Sequence, residues 1–189
     1  MISDTLRAWV LTVASAEPFT IESEGHRGIE LLEHLLAVTE EPNEVVRLLG
    51  GSIGGFLWEV QHAAAEACWD DAQDLSLRQD VLGGIPRLLQ AACAIHAGSD
   101  AVFQFWDSFL APWEREHHGN HEHPLVASVA SALLEQLDGA RDECVQMSAL
   151  HGINHLRDLS TANAAKELLL YPSPEVQEYA GRALAFRAP

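Results

Sequence analysis

The chain has 189 residues, 48% of them hydrophobic, and a formal net charge of −17 at neutral pH. That length suits one domain or two halves sharing a core, and that apolar content excludes a disordered chain. The acidic excess, with Lys166 the one lysine, repels phosphate; it argues against nucleic-acid binding and favours a basic protein partner, or simply solubility.

Near the start, "RAWVLTVASAE" ends on Ala14-Ser15-Ala16, the small-x-small pattern of a leader. Its apolar run is short, however, and Asp4 offsets Arg7, so a secretory leader is not expected. Ile29, Leu32 and Leu36 then mark an amphipathic helix that stops at "EEPNE" (40–44), where Asn43 reads as an N-cap. "LLGGSIGGFLW" carries four glycines in a helical pattern, so either close helix contact compensates for them or the helix breaks. This apolar run is far too short to span a bilayer, and no membrane segment is expected. Val81, Ile85, Leu88, Leu89, Ala92 and Ile95 form the next stripe; Pro86 inside it predicts a kink or a fresh start.

After the "AGSD" turn (97–100), with Ser99 as a cap, Val102, Trp106, Phe109 and Trp113 form a third stripe. Val126, Val129, Leu133 and Leu137 form a fourth. "YPSPE" (171–175) offers Ser173 as an N-cap and Pro174 for a first turn. No sustained alternation reads as a strand. The expectation is an all-α protein of about eight or nine helices. It divides into an N-terminal helical part (1–110), a His/Glu-rich connection (111–124) and helical hairpins (125–189), all in one continuous domain.

Near the C-terminus "ECVQMSALHGINHL" (143–156) matches "EVQEYAGRALAF" (175–186) at an offset of 31 residues. Val145 aligns with Val176, Gln146 with Gln177, Ala149 with Ala180, Gly152 with Ala183 and Ile153 with Leu184. Repeats of this length are helical hairpins that stack on their neighbours. The register resembles the second helix of a HEAT repeat, "V-R-x-x-A-x-x-A-L", with glutamine where that family often has arginine. The resemblance runs from Leu125 to the end and pairs 124–138 with 141–157 and 161–170 with 174–187. A weaker echo starts at Val46-Arg47. It implies an α-solenoid of antiparallel hairpins with a concave face, in a superfamily whose members mostly bind other proteins.

Two places could carry chemistry. "EREHHGNHEHP" (114–124) holds four histidines, and His117, His121 and His123 have donors that suit zinc, nickel or copper. It reads three ways: a solvated turn, a metal site or a pH sensor. On the next helix Cys144, Ser148, His151 and His155 share one face at steps of four, three and four. His151 and His155 have the spacing of two helix-borne zinc ligands, without the glutamate beside the first that a zincin needs as its base. Packing against a neighbouring helix is the simpler reading for them. Asp70-Asp71 reads as a solvated helix end, and Trp106 and Trp113 as core.

Cys68, Cys93 and Cys144 are odd in number and widely spaced, which points to thiols in a reducing, cytoplasmic compartment. No phosphate-cradling glycine loop, nucleophile elbow or Cys-x-x-Cys is present. The first expectation is therefore a non-enzymatic interaction protein that presents an acidic surface to a basic protein partner, as an adaptor, inhibitor or immunity-type protein does. The alternative is a metal-binding protein or metal-dependent enzyme using zinc or a similar ion at the loop, the Cys144/His151/His155 face, or both. No other cofactor is expected.

Overall fold

The computed structural model describes residues 2–15, 28–94, 99–117, 119–140, 142–169 and 172–188. Ile95, His118, Tyr171 and the Ala16 end of the leader-like stretch lie outside them. Among the described residues the chain is all-α. Its helices are α1 (Asp4–Ser15), α2 (Ile29–Glu40), α3 (Pro42–Leu49), α4 (Ile53–Trp69), α5 (Leu75–Cys93), α6 (Ser99–Glu116), α7 (Pro124–Gly139), α8 (Glu143–Leu156), α9 (Leu159–Leu168) and α10 (Pro174–Ala183). Only a 3-10 turn, Gly50–Ser52, separates α3 from α4. Taken as one broken helix, that pair brings the number to the upper end of the expected eight or nine.

Local chemistry sets these boundaries. Pro42, Pro124 and Pro174 open α3, α7 and α10, where a missing N–H costs nothing. Asp74, Asp142, Asp158 and Ser173 each accept a hydrogen bond from a first-turn N–H of α5, α8, α9 and α10. Ser173 and Pro174 thus hold the expected positions. Asn43 does not cap, because α3 begins one residue earlier and places it inside the helix. The glycine run resolves as a break: Gly50 has φ +50°, where a side chain would be strained, and a Cβ at Gly51 or Gly55 would meet open space. Pro86 causes no such break. α5 runs through it, and burial of Ile85, Leu88 and Leu89 around it offsets the roughly 3 kcal/mol that an interior proline costs through its lost hydrogen bond and ring clash.

The helices alternate between two layers. α1 packs on α4, α4 on α6, α6 on α8 and α8 on α10; α2 and α3 pack on α5, α5 on α7 and α7 on α9. Phe56, Leu57, Leu82, Leu88, Phe105, Trp106, Leu133 and Ile153 are fully buried in the apolar cluster these helices share. The 31-residue register falls on α8 and α10, neighbours in the first layer. Val145 and Val176, Ala149 and Ala180, and Gly152 and Ala183 are all buried. Gly152 has no room for more: a Cβ there would collide with Leu133 Cδ2 and come within 2.9 Å of Trp106.

Tryptophan packing completes the first layer. Trp69 Nε1 donates to the Phe109 carbonyl, Trp106 Nε1 to Gln136 Oε1 and Trp113 Nε1 to the Asn120 carbonyl. Trp106 and Trp113 are core, as their spacing suggested. Trp58 is the exception, at 36% exposure. No helix among the described residues is long and apolar enough to cross a membrane.

Candidate functional site

The first layer has an outer face built by α4, α6 and α8. α4 presents Trp58, His62 and Glu66 there at successive turns, and Asp70 follows at its C-cap. Between α4 and α6 lie two clefts. One, of about 430 Å³, is lined by Glu66, Trp69, Asp70, Asp71, Pro112, Glu116 and His117. The other, of about 400 Å³, is lined by His62, Ala65, Glu66, Asp107, Ser108, Ala111, Pro112 and Arg115. They share Glu66 and Pro112 and so form one groove. Its walls are acidic, and Arg115 is tied to Glu116 at 3.0 Å.

At one end of the groove sits the His-rich connection, a hydrogen-bonded turn that buries His123 and leaves Asn120, His121 and Glu122 exposed. Trp113 O accepts from the His117 and Gly119 N–H groups, and Gly119 takes φ +65° to make that turn. His123 is buried and caps α7: its Nδ1 accepts from the Leu125 N–H at 3.3 Å. Its proton therefore sits on Nε2, which donates to Asp71 Oδ1 at 3.0 Å. The same oxygen accepts from Nη1 of the buried Arg78 at 3.1 Å. His117 Nε2 donates to the Trp69 carbonyl at 3.2 Å, and both imidazoles lean on the Trp69 ring. Burial pushes the Asp71 carboxyl up, but the bonds from Arg78 and His123 outweigh it and hold the group below its ordinary value. Asp71, His117 and His123 thus clamp the α6–α7 turn onto the α4–α5 turn. An ion entering among them would have to break these bonds. His121 is not part of the group; it rests edge-on against Trp113.

α6 and α8 bring a second set together on the same face. One ligand atom each from Asp107, His151 and His155 lies within 4.8 Å of the others. His155 Nε2 is 3.5 Å from Asp107 Oδ1, and its Nδ1 is 3.6 Å from Glu114 Oε1. His151 Nδ1 is 2.7 Å from Tyr179 Oη on α10, and its ring stacks on Phe103. Burial, then the neighbouring His155, holds the His151 pKa below the ordinary imidazole value. Burial pushes the Tyr179 phenol up to about 12, so it stays protonated.

Cys144 belongs elsewhere. Together with Cys93 of α5 and Asp142 it forms a third group, with ligand atoms within 4.8 Å. The Cys93 thiol donates to the Cys144 sulfur, which lowers the Cys144 pKa and raises that of Cys93. All three cysteines of the chain are thiols. Ser148, between Cys144 and His151, is buried and donates to the Val102 carbonyl.

The structure therefore joins His117 to His123 and His151 to His155, and separates Cys144 and His121 from both. Sequence reasoning missed Asp71, Asp107, Glu114, Tyr179 and Cys93. Asp107 and Glu114 do carry a signal: seven residues apart, they fall on one face of α6. The chain matches no family model, no curated protein and no solved structure.

Proposed function

We propose that the chain acts by binding, as a non-enzymatic adaptor, inhibitor or immunity-type protein that docks a basic segment of a partner protein along the α4–α6 groove. The observation that carries this reading is the pair of adjoining clefts, with Glu66 common to both and Asp70, Asp71, Asp107 and Glu116 around them. A concave surface lined by one sign of charge focuses its field and speeds encounter with the opposite charge. Trp58, exposed on α4 one turn before His62, gives an apolar anchor beside the charge, and such aromatic anchors dominate interface energetics. The two alternating layers and the 31-residue register support a HEAT-like α-solenoid as the scaffold. Buried thiols at Cys68 and Cys93 support a cytoplasmic setting.

The test is titration of a fluorescein-labelled arginine-rich peptide at rising ionic strength, beside a peptide of the same length with glutamine for arginine. Since the Debye length falls from about 10 Å at 0.1 M salt to about 3 Å at 1 M, docking through the groove should weaken steeply over that range. Equal affinity for the two peptides, or affinity flat in salt, would sink the proposal.

A further inference from the structure

We infer that Asp107, His151 and His155 form a binding site for a divalent transition metal ion, with zinc the ion that their donors suit best. The inference does not rest on the groove's docking role, but the site shares Asp107 with the groove wall. Two imidazoles and a carboxylate are common zinc donors, and two histidines four apart on one helix present their rings to the same point. Distance separates this set from the Asp71 clamp. Zinc–ligand bonds of about 2.0–2.1 Å in a tetrahedron put neighbouring donor atoms roughly 3.3 Å apart. His155 Nε2 and Asp107 Oδ1, at 3.5 Å, already stand near that separation. His123 and Asp71, at 3.0 Å, stand at hydrogen-bond distance with the proton between them.

The outer contacts point the same way. A metal-bound histidine usually gives its other ring nitrogen to a carboxylate, a carbonyl or another polar group that fixes ring and tautomer. Both histidines here have such a group on Nδ1. Tyr179 Oη stands against His151, and Glu114 Oε1 faces His155. In the tautomer with the proton on Nδ1, each keeps its Nε2 lone pair for the ion. Phe103, stacked on His151, holds that ring in place. The backbone positions are rigid, since all three donors lie on regular helices packed against each other. Asp107 and His155 reach solvent, so an ion can enter, and three protein ligands leave a coordination position open on that side.

The experiment uses the full chain, stripped with a chelator. Cobalt(II) is added while its visible d–d absorption is followed, and zinc(II) is titrated by calorimetry. The site predicts one equivalent per chain. His155→Ala and Asp107→Asn should each weaken zinc binding by about tenfold or more, and Tyr179→Phe, which keeps the packing, by about tenfold through loss of ring orientation alone. Each variant is checked for native helicity by circular dichroism, and the buried His151 is left intact so that folding is not at stake. His117→Ala should leave the titration unchanged, as should reversal of the groove charges Glu66 and Glu116. Absence of stoichiometric binding in the wild type would overturn the inference. So would binding that survives both His155→Ala and Asp107→Asn, or binding lost on His117→Ala.

Discussion

Gly152→Ala puts the packing argument at risk, because two effects of opposite sign compete. Gly152 lies in the middle of α8, where alanine is favoured over glycine by up to about 1 kcal/mol on helix propensity. A Cβ there would collide with Leu133 Cδ2 and stand 2.9 Å from Cβ and Cγ of Trp106. Neither neighbour can yield cheaply. Both are fully buried, and Trp106 is pinned by its bond to Gln136, which itself donates to the Val145 carbonyl at the start of α8. Forcing one methyl into such a core costs about 1–3 kcal/mol and outweighs the propensity gain. For a chain of this length each kcal/mol lowers the melting midpoint by about 2–4 °C. Gly83→Ala is the comparison: also inside a helix, with nothing near its Cβ, it should gain about 0.4–1 kcal/mol. Calorimetric melting of the two variants beside the wild type decides the matter. A neutral or stabilising Gly152→Ala would show that the α6–α8 contact is looser than described.

Other measurements bear on the clamp, the caps and the thiols. Asp71→Ala takes a partner from buried Arg78 and from His123, yet its carboxylate is 61% exposed; a loss of about 1 kcal/mol in urea unfolding is expected. At Asp158, burial raises the pKa, but bonds from Ser160 and Thr161 outweigh it and lower it. A carboxyl lowered in the fold stabilises above its unfolded value of about 3.9, and that contribution disappears as pH falls through the folded value. Asp158→Ala should therefore cost about 1 kcal/mol at pH 7 and progressively less below pH 4, read from denaturation at a series of pH values. Alkylation of the native protein should modify Cys144 first. Cys68, whose thiol burial pushes up to about 12, should react only on unfolding, which peptide mass mapping would show.

The fold was legible where it rests on local periodicity. The stripes at 81–92, 102–113 and 126–137 became α5, α6 and α7, and Ser173-Pro174 set the start of α10. At Pro86 no fresh helix starts, because tertiary burial on both sides outweighs a local cost. The candidate sites were only half legible because half of each is non-local. His123 meets Asp71 across 52 residues of sequence, and His151 meets Tyr179 across 28. Cys144 shares a helical face with His151 but sits seven residues away, roughly 10 Å along the axis, too far for one ion. The imidazole pair of α8 could be found from spacing; Asp107 and Glu114 could be added only once α6 was known to lie beside it.

The docking face is tested most directly by a comparison that holds total charge constant. One variant reverses Glu66 and Glu116, on the α4–α6 groove; the other reverses Asp80 and Glu135, exposed on α5 and α7 of the opposite layer. Both change the net charge equally, so any long-range attraction drops by the same amount. Docking in the groove predicts that arginine-rich peptide binding falls by at least about tenfold, some 1.4 kcal/mol, in the first variant and stays near wild type in the second. Equal losses in the two variants would contradict a localised site and leave only the general attraction of an acidic protein for a basic peptide.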